Sequence, residues 1–356
     1  MGDILHALPA VSALRVAHPE WVIGWAVEPQ WGALFVADSS GAHAPRGPAQ
    51  PLVDMLHLVP AKQWARQALH PATLRSILRT RSEIRKAGYD AALDLQGAVR
   101  SAAIARWAAP ARLLGEAAPR EPAARWLFRE RIPSAGVHVI EQAADVVRAL
   151  NGDALPLALP LLPCDPEAAQ WCESAGVGAD FGPSVLLHPG AGWGAKRWPV
   201  ERYAQAGASI ARQTGCRIVI NVAPSEGGIG IALAAHLRVL GVTPLLLSPT
   251  VGQLIELTRR ITLAIGGDTG PLHLAAALGK STVGIFGPTD PARNGPFHGQ
   301  FRVLRDPVSR RDHTRRSGPE AGLLRITPES VAEAAVLLLR GDSYSTPASQ
   351  AQGGSL

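Results

Sequence analysis

The chain has 356 residues, of which 47% are hydrophobic, 18% charged and 5% aromatic, too apolar and too weakly charged for a disordered chain and unlike collagen, coiled coils or mucins. Its 35 basic and 29 acidic residues give a formal net charge of +6, spread so that neither half is a basic tail, and no nucleic-acid partner is expected. Apolar runs are broken by Gly, Pro or Arg before they reach the roughly 18 residues of a membrane-spanning helix.

The chain opens Met1-Gly2-Asp3 and runs into a helical repeat of Ile4, Leu5, Leu8, Val11 and Leu14, without the basic start and apolar core of a secretory signal. Asp3 heads that repeat, where a carboxylate either caps free amides or, turned into a cleft, takes a proton from a hydroxyl. Strand-like runs follow at 21–28, 53–59, 89–95 and 112–115, with helical patterns between them. Across residues 62–86 the cations Lys62, Arg66, Arg75, Arg79, Arg81, Arg85 and Lys86 face a single acid, Glu83. Such a patch suits an anionic lipid surface or a phosphorylated ligand, or is a solvated helix face. Asp94-Leu95-Gln96-Gly97 ends the third strand, and Arg100 is placed to face the same strand end.

Pro156, Pro160, Pro163 and Pro166 mark the boundary between domains. Beyond it, clearer strands lie at 184–188, 217–222, 243–247, 263–266 and 281–286. The alternation predicts an α/β protein of two lobes with parallel sheets, residues 1–160 and 161–340, and a disordered Ser-, Gln- and Gly-rich tail at 341–356. A doubly wound lobe begins with a buried central strand. The first lobe begins with a helix, so its first strand is expected upstream of Met1, in a natural protein longer by roughly ten residues. Cys164, Cys172 and Cys216 contain no C-x-x-C pair and leave one thiol unpaired, which fits small core residues in a reducing, cytoplasmic setting.

The strand at 184–188 runs into His188-Pro189-Gly190-Ala191-Gly192-Trp193-Gly194-Ala195-Lys196-Arg197-Trp198-Pro199. Glycines let backbone amides approach a phosphate closely, Lys196 adds a point charge, and Pro199 suits the first position of a helix. The spacing also satisfies the dinucleotide fingerprint G-x-G-x-x-A, but that loop should open its helix directly and place an acid about 20 residues on. Here four residues intervene and Cys216 and Arg217 stand at the acid's place. A plain glycine turn with surface cations is the third reading. Gly266-Gly267-Asp268-Thr269-Gly270-Pro271-Leu272-His273 ends a later strand, with Asp268 or Thr269 placed to cap a helix and His273 one turn in. Glu226 follows the strand at 217–222, where a carboxylate either receives ribose hydroxyls or caps the next helix. No D-x-D metal motif occurs.

Taken with M-G-D-I-L-H-A-L-P-A at 1–10, D-L-Q-G-A-V-R-S-A at 94–102, R-E-P at 120–122 and F-G-P-T-D-P at 286–291, these motifs resemble the ADP-heptose glycosyltransferases, glycosyltransferase family 9, over nearly the whole chain. The resemblance implies a GT-B fold with acceptor on the first lobe, nucleotide sugar on the second and a C-terminal helix, 328–339, packing back across the lobes. It implies transfer of heptose from ADP-heptose to the Kdo of lipid A with inversion, without a metal or other cofactor, at the cytoplasmic face of the inner membrane. Asp3 would be the base and Lys196 the group that stabilises departing ADP. Gly190, Ala191, Gly192, Glu226, Asp268, Thr269, Gly270 and His273 would hold the donor, and Lys62, Arg66, Gln96, Arg100 and Arg120 the acceptor.

Overall fold

Helix α1 (Gly2–Ala17) is buried without a break from residue 7 to residue 15. A helix with so little polar face needs enclosure on every side, and the rest of the chain supplies it. The computed structural model describes residues 1–37, 45–178, 181–312, 314 and 317–341. Leu5, Leu8 and Val11 pack in one cluster with Val27, Phe35 and Leu56 from the first half and with Leu186, Leu254 and Leu274 from the second. Ala10 and Leu14 meet Ala143 and Val147 of α5 (Val139–Asn151).

The strands of the first half form two separate parallel sheets. β1 (Gly24–Val27) pairs with β2 (Met55–Leu58), Gly24 opposite Met55. Helices α2 (Ala61–Arg66) and α3 (Pro71–Lys86) lead on to β3 (Ala91–Asp94), which pairs with β4 (Arg112–Glu116) across α4 (Val99–Ala105), Ala91 opposite Arg112. β5 (Glu130–Ile132) adds to β4. β1 and β3 are not bonded to each other.

The second half is one parallel sheet in the order β8-β7-β6-β9-β10-β11. Its elements are β6 (Ser184–His188), α7 (Val200–Thr214), β7 (Arg217–Asn221), α8 (Gly227–Val239), β8 (Leu245–Leu247), α9 (Val251–Arg260), β9 (Leu263–Gly267), α10 (Gly270–Ala277), β10 (Ser281–Phe286), α11 (Pro291–Asn294), β11 (Phe301–Arg305) and α12 (Pro328–Arg340). Counted from β6 this is the 3-2-1-4-5-6 order of doubly wound dinucleotide-binding sheets, and the direction of winding reverses between β6 and β9. Every residue of β6 and β9 is buried, as helices on both faces require.

The proline segment carries neither helix nor strand up to Asp165, whose carboxylate caps α6 (Pro166–Ser174) by accepting from the amides of Glu167 (3.0 Å) and Ala168 (3.1 Å). Several expectations need correction. β5 and β11 were not anticipated: the first is three residues long with two charges, and the second is a half-exposed edge strand. α12 packs on α7, β9, β10 and β11 of its own half through Val331, Ala335 and Leu338, and the halves are bridged instead by α1 on α10 and by residues 29–34 against α9. Cys172 and Cys216 are core residues but Cys164 is exposed. Gly341 closes α12 with φ of 74°, one residue into the expected tail, and the rest of that tail, 342–356, lies outside the described residues. No helix among the described residues is long and apolar enough to cross a membrane.

Arg15, in the last turn of α1, is buried at 4% exposure. It donates to the carbonyls of Leu52 (2.9 Å) and Trp21 (2.7 Å) and pairs with Asp54 at 2.5 Å, which itself receives the amide of Ile23. Arg15→Met strands those acceptors and should lower the free energy of unfolding by about 3 kcal/mol. Arg79→Ala, which breaks only the exposed 3.7 Å pair with Glu83, should cost about 0–1 kcal/mol. Chemical denaturation of the two variants measures the contrast.

Candidate functional site

The C-terminal ends of β3, β4, β6, β7, β9 and β10 converge on a cleft of about 1040 Å³ between the halves, the position where open α/β sheets bind ligands and at the top of the usual size range for small-molecule sites. On the second-half wall the loops after β6 and β9 meet at the point where the winding reverses. Lys196 ends the glycine loop, and its ammonium lies 2.5 Å from Asp268 Oδ2 and 4.3 Å from the centre of the Trp193 ring. The other oxygen of Asp268 lies 2.8 Å from His273 Nε2, one turn into α10. Burial alone would push the Asp268 carboxyl up, but the His273 hydrogen bond and charge, with the Lys196 ammonium, outweigh it and hold it well below the ordinary carboxylate range.

Neither Asp268 nor Thr269 caps α10 as expected. Asp268 is turned toward Lys196 and His273, and Thr269 donates its hydroxyl to the Gly267 carbonyl at 3.2 Å. The first-turn amides of α10 therefore have no side-chain partner, and the helix presents its positive end to the cleft. Glu226 stands ahead of α8 and accepts from the Ala223 amide at 3.2 Å without capping the helix. Its carboxylate lies so close to Gly190 that a Cβ there would collide with it. Ala191 and Gly192 line the cleft, Gly190 lies behind them, and Pro199 stands one residue ahead of α7.

On the first-half wall Asp3 caps nothing. Its half-exposed carboxylate accepts from Gln96 Nε2 (3.1 Å) and Arg120 Nη1 (3.2 Å). Gly97 makes this meeting possible: its φ is +67°, and a Cβ would stand 2.9 Å from the backbone nitrogen of Arg120. Asp94 Oδ1 receives the amides of Gln96 and Gly97, while its buried Oδ2 has no hydrogen-bond partner among the described residues; burial raises its pKa. Lys62, Arg66 and Arg100 are exposed and are not among the residues lining the cleft; Arg100 projects from the first turn of α4 into solvent.

Several cleft residues escaped the sequence reading. His6, one turn beyond Asp3, has its ring centre 4.5 Å from that of His273 and 5.8 Å from that of His138. Burial first, then the neighbouring imidazoles, keep it well below its usual pKa and therefore neutral near pH 7. The spacing from Asp3 to His6 is the signal for it, since i and i+3 share a helix face. Trp193 belongs to the glycine motif itself, and its ring meets Lys196, three residues on, because residues 194–196 form a tight turn that the glycine pattern does not specify. Glu116 at the end of β4 is raised by burial and eased by Arg293, and no local pattern marks either residue. The cleft thus opposes an accessible carboxylate to an anion-stabilising wall of ammonium and helix amides.

Residues 77–320 match the model of glycosyltransferase family 9 (heptosyltransferase). The chain is 28% identical over 314 residues to lipopolysaccharide heptosyltransferase 1 of Pseudomonas aeruginosa, covering 83% of this chain and 79% of that one. It is 26% identical over 196 residues to lipooligosaccharide heptosyltransferase 2 of Haemophilus influenzae, covering 51% and 56%. Among solved structures, the Escherichia coli heptosyltransferase WaaC with ADP superposes with a TM-score of 0.73 at 23% identity, covering 94% of this chain and 95% of that one. The fold is the GT-B arrangement of two Rossmann-like lobes, and the family match sets aside the oxidoreductase reading of the glycine loop. The chain belongs to glycosyltransferase family 9, the heptosyltransferases.

Proposed function

We propose that this glycosyltransferase moves L-glycero-D-manno-heptose from ADP-heptose, with inversion, onto the Kdo of the lipopolysaccharide inner core. The observation that carries the reading is a solvent-open carboxylate, Asp3, sharing one cleft with the partly buried ammonium of Lys196. Residues 1–160 form the acceptor lobe and 161–340 the donor lobe. The donor's diphosphate lies against Ala191, Gly192, Thr269 and Gly270, whose amides and helix dipole suit it, with Gly190 behind them shaping the loop. Glu226 receives ribose hydroxyls, and Asp268 and His273 orient Lys196 and the sugar. The ADP in the Escherichia coli structure supports the adenosine diphosphate half of the donor.

Asp3 removes the proton of the acceptor hydroxyl as that oxygen bonds to the anomeric carbon. The bond from the same carbon to the diphosphate breaks, and ADP leaves with its added charge met by Lys196 and α10. Those groups do what a metal does in other transferases, so the scheme uses no metal and no cofactor. Gln96 and Arg120 aim Asp3, and Arg120, with Lys62 and Arg66 farther out, meets the acceptor's carboxylates and phosphates. The enzyme works without nucleic acid, in the cytoplasm, as a peripheral protein of the inner membrane. The likeness to a heptosyltransferase 2 favours a second reading, an acceptor that already carries a heptose.

ADP release from ADP-heptose should require Kdo-lipid A, and Asp3→Asn should lower kcat by roughly 10²–10⁴-fold. Release without acceptor, or full activity in the variant, would sink the scheme; binding without release would mark a non-catalytic nucleotide-sugar binder, and release only with heptosylated acceptor would select the second reading. Lys196→Ala should depress kcat by about 10²–10³-fold and ADP binding far less; equal losses by calorimetry and kinetics would refute a leaving-group role. Asp268→Asn should cost on the order of 3 kcal/mol of stability at pH 7. The folded-state pKa is depressed, so this contribution is present above the ordinary value of 3.8 and lost as pH falls below it. The gap between wild-type and variant unfolding curves should therefore close below about pH 4.

A further inference from the structure

The sequence patch at 62–86 folds into α2 and α3, and its cations are on the outside. Thr73, Thr80 and Ile84 are the buried residues of α3, with Ile77 packed beside them. At 100° per residue these four fall within one narrow arc. Leu74, Leu78, Arg81 and Arg85 then form a stripe down one flank, and Arg75, Ser82 and Lys86 point directly away from the core. The leucines are not tucked in: Leu74 is 51% exposed and Leu78 62%, while Leu69, in the turn before α3, is 93% exposed. Arg66, Arg75, Arg79, Arg81, Arg85 and Lys86 are all exposed, and the one acid of the segment, Glu83, is engaged with Arg79.

An exposed leucine stripe interleaved with cations has the composition of a helix that lies in a membrane interface, where aliphatic side chains enter the acyl boundary and long basic side chains reach the phosphates. A solvated helix face does not need the leucines. Nucleic acid would use the cations but gives no place to three aliphatic side chains, and the exposed residues of α3 include no aromatic for base stacking. We propose that the α2–α3 face, through Leu69, Leu74, Leu78 and the surrounding arginines, docks on an anionic phospholipid bilayer. The face is also well placed. α2 begins near the cleft: the Lys62 amide donates to the Glu28 carboxylate (3.0 Å), and the Glu28 carbonyl receives the amide of Trp31, a cleft residue. Docking by this face holds the acceptor-side rim close to the headgroups, where a lipid-linked acceptor is presented.

The inference rests on the acceptor reading above for its purpose but not for its test. The full chain is sedimented with vesicles of phosphatidylcholine alone and of phosphatidylcholine mixed with phosphatidylglycerol. Binding is expected only to the mixed vesicles and should weaken with salt, on the order of fivefold for each cation removed. Leu74→Ser with Leu78→Ser should weaken it tenfold or more, and Arg81→Glu with Arg85→Glu should abolish it. All four residues are exposed, so melting temperatures should be unchanged; were the leucine pair to misfold, the arginine pair decides alone. Both pairs should leave ADP release with a soluble, lipid-free Kdo acceptor unaltered and lower the rate on acceptor embedded in vesicles. No vesicle binding by the wild type, equal binding to neutral vesicles, variants that bind like wild type, or retention on RNA in place of vesicles would each overturn the proposal. Vesicle binding without any ADP release would leave it standing and fail the transfer reading instead.

Discussion

Helix α1 has almost no polar face, and that single constraint organises the molecule. Water cannot cover residues 7 to 15, so both halves must. The same packing that hides Leu5 and Leu8 delivers the first turn of α1 to the first turn of α10, with a Cβ on Gly2 falling 3.6 Å from His273 and Met1 lying over Gly270. Asp3 and His6 are thereby brought to the second-half wall by hydrophobic burial, without any polar bond needed to hold them there.

Opposite them, Asp268 solves an electrostatic problem. An ammonium kept in a partly buried place without an anion would lose its proton or drag in water. Asp268 holds the Lys196 ammonium in place, and the His273 hydrogen bond helps keep Asp268 ionised. An arriving diphosphate then meets a cation already desolvated and oriented, which is the preorganisation on which electrostatic catalysis depends. Trp193 adds its ring face to the same ammonium at 4.3 Å without adding a charge that would compete with a ligand.

Apart from its edge strand β11, the second sheet was legible in the sequence because its central strands are short apolar runs buried on both faces: 184–188 and 281–286 agree to the residue, and the glycine loop and D-T-G turn follow β6 and β9 as expected. What escaped is what local pattern cannot encode. β5 has too few residues for a period, and Glu116 meets Arg293 only through tertiary folding. Gln96 was placed near the site from D-L-Q-G, yet its bond to Asp3, 93 residues away, depends on the left-handed turn at Gly97. Its place three residues after Gly97 points Arg100 toward the same strand end, but the helix that starts at Val99 carries it out into solvent.

His6 and His273 meet edge to face, their ring centres 4.5 Å apart, where α1 packs on α10. Each ring is one short step from a charged group of the cleft: His6 lies one turn after Asp3 on α1, and His273 lies 2.8 Å from Asp268, the partner of Lys196. The carboxylate on one wall and the ammonium on the other are thus mechanically linked through a single ring contact, so a slide of α1 along α10 that moves Asp3 also moves the ring against which His273, and with it Asp268, is packed.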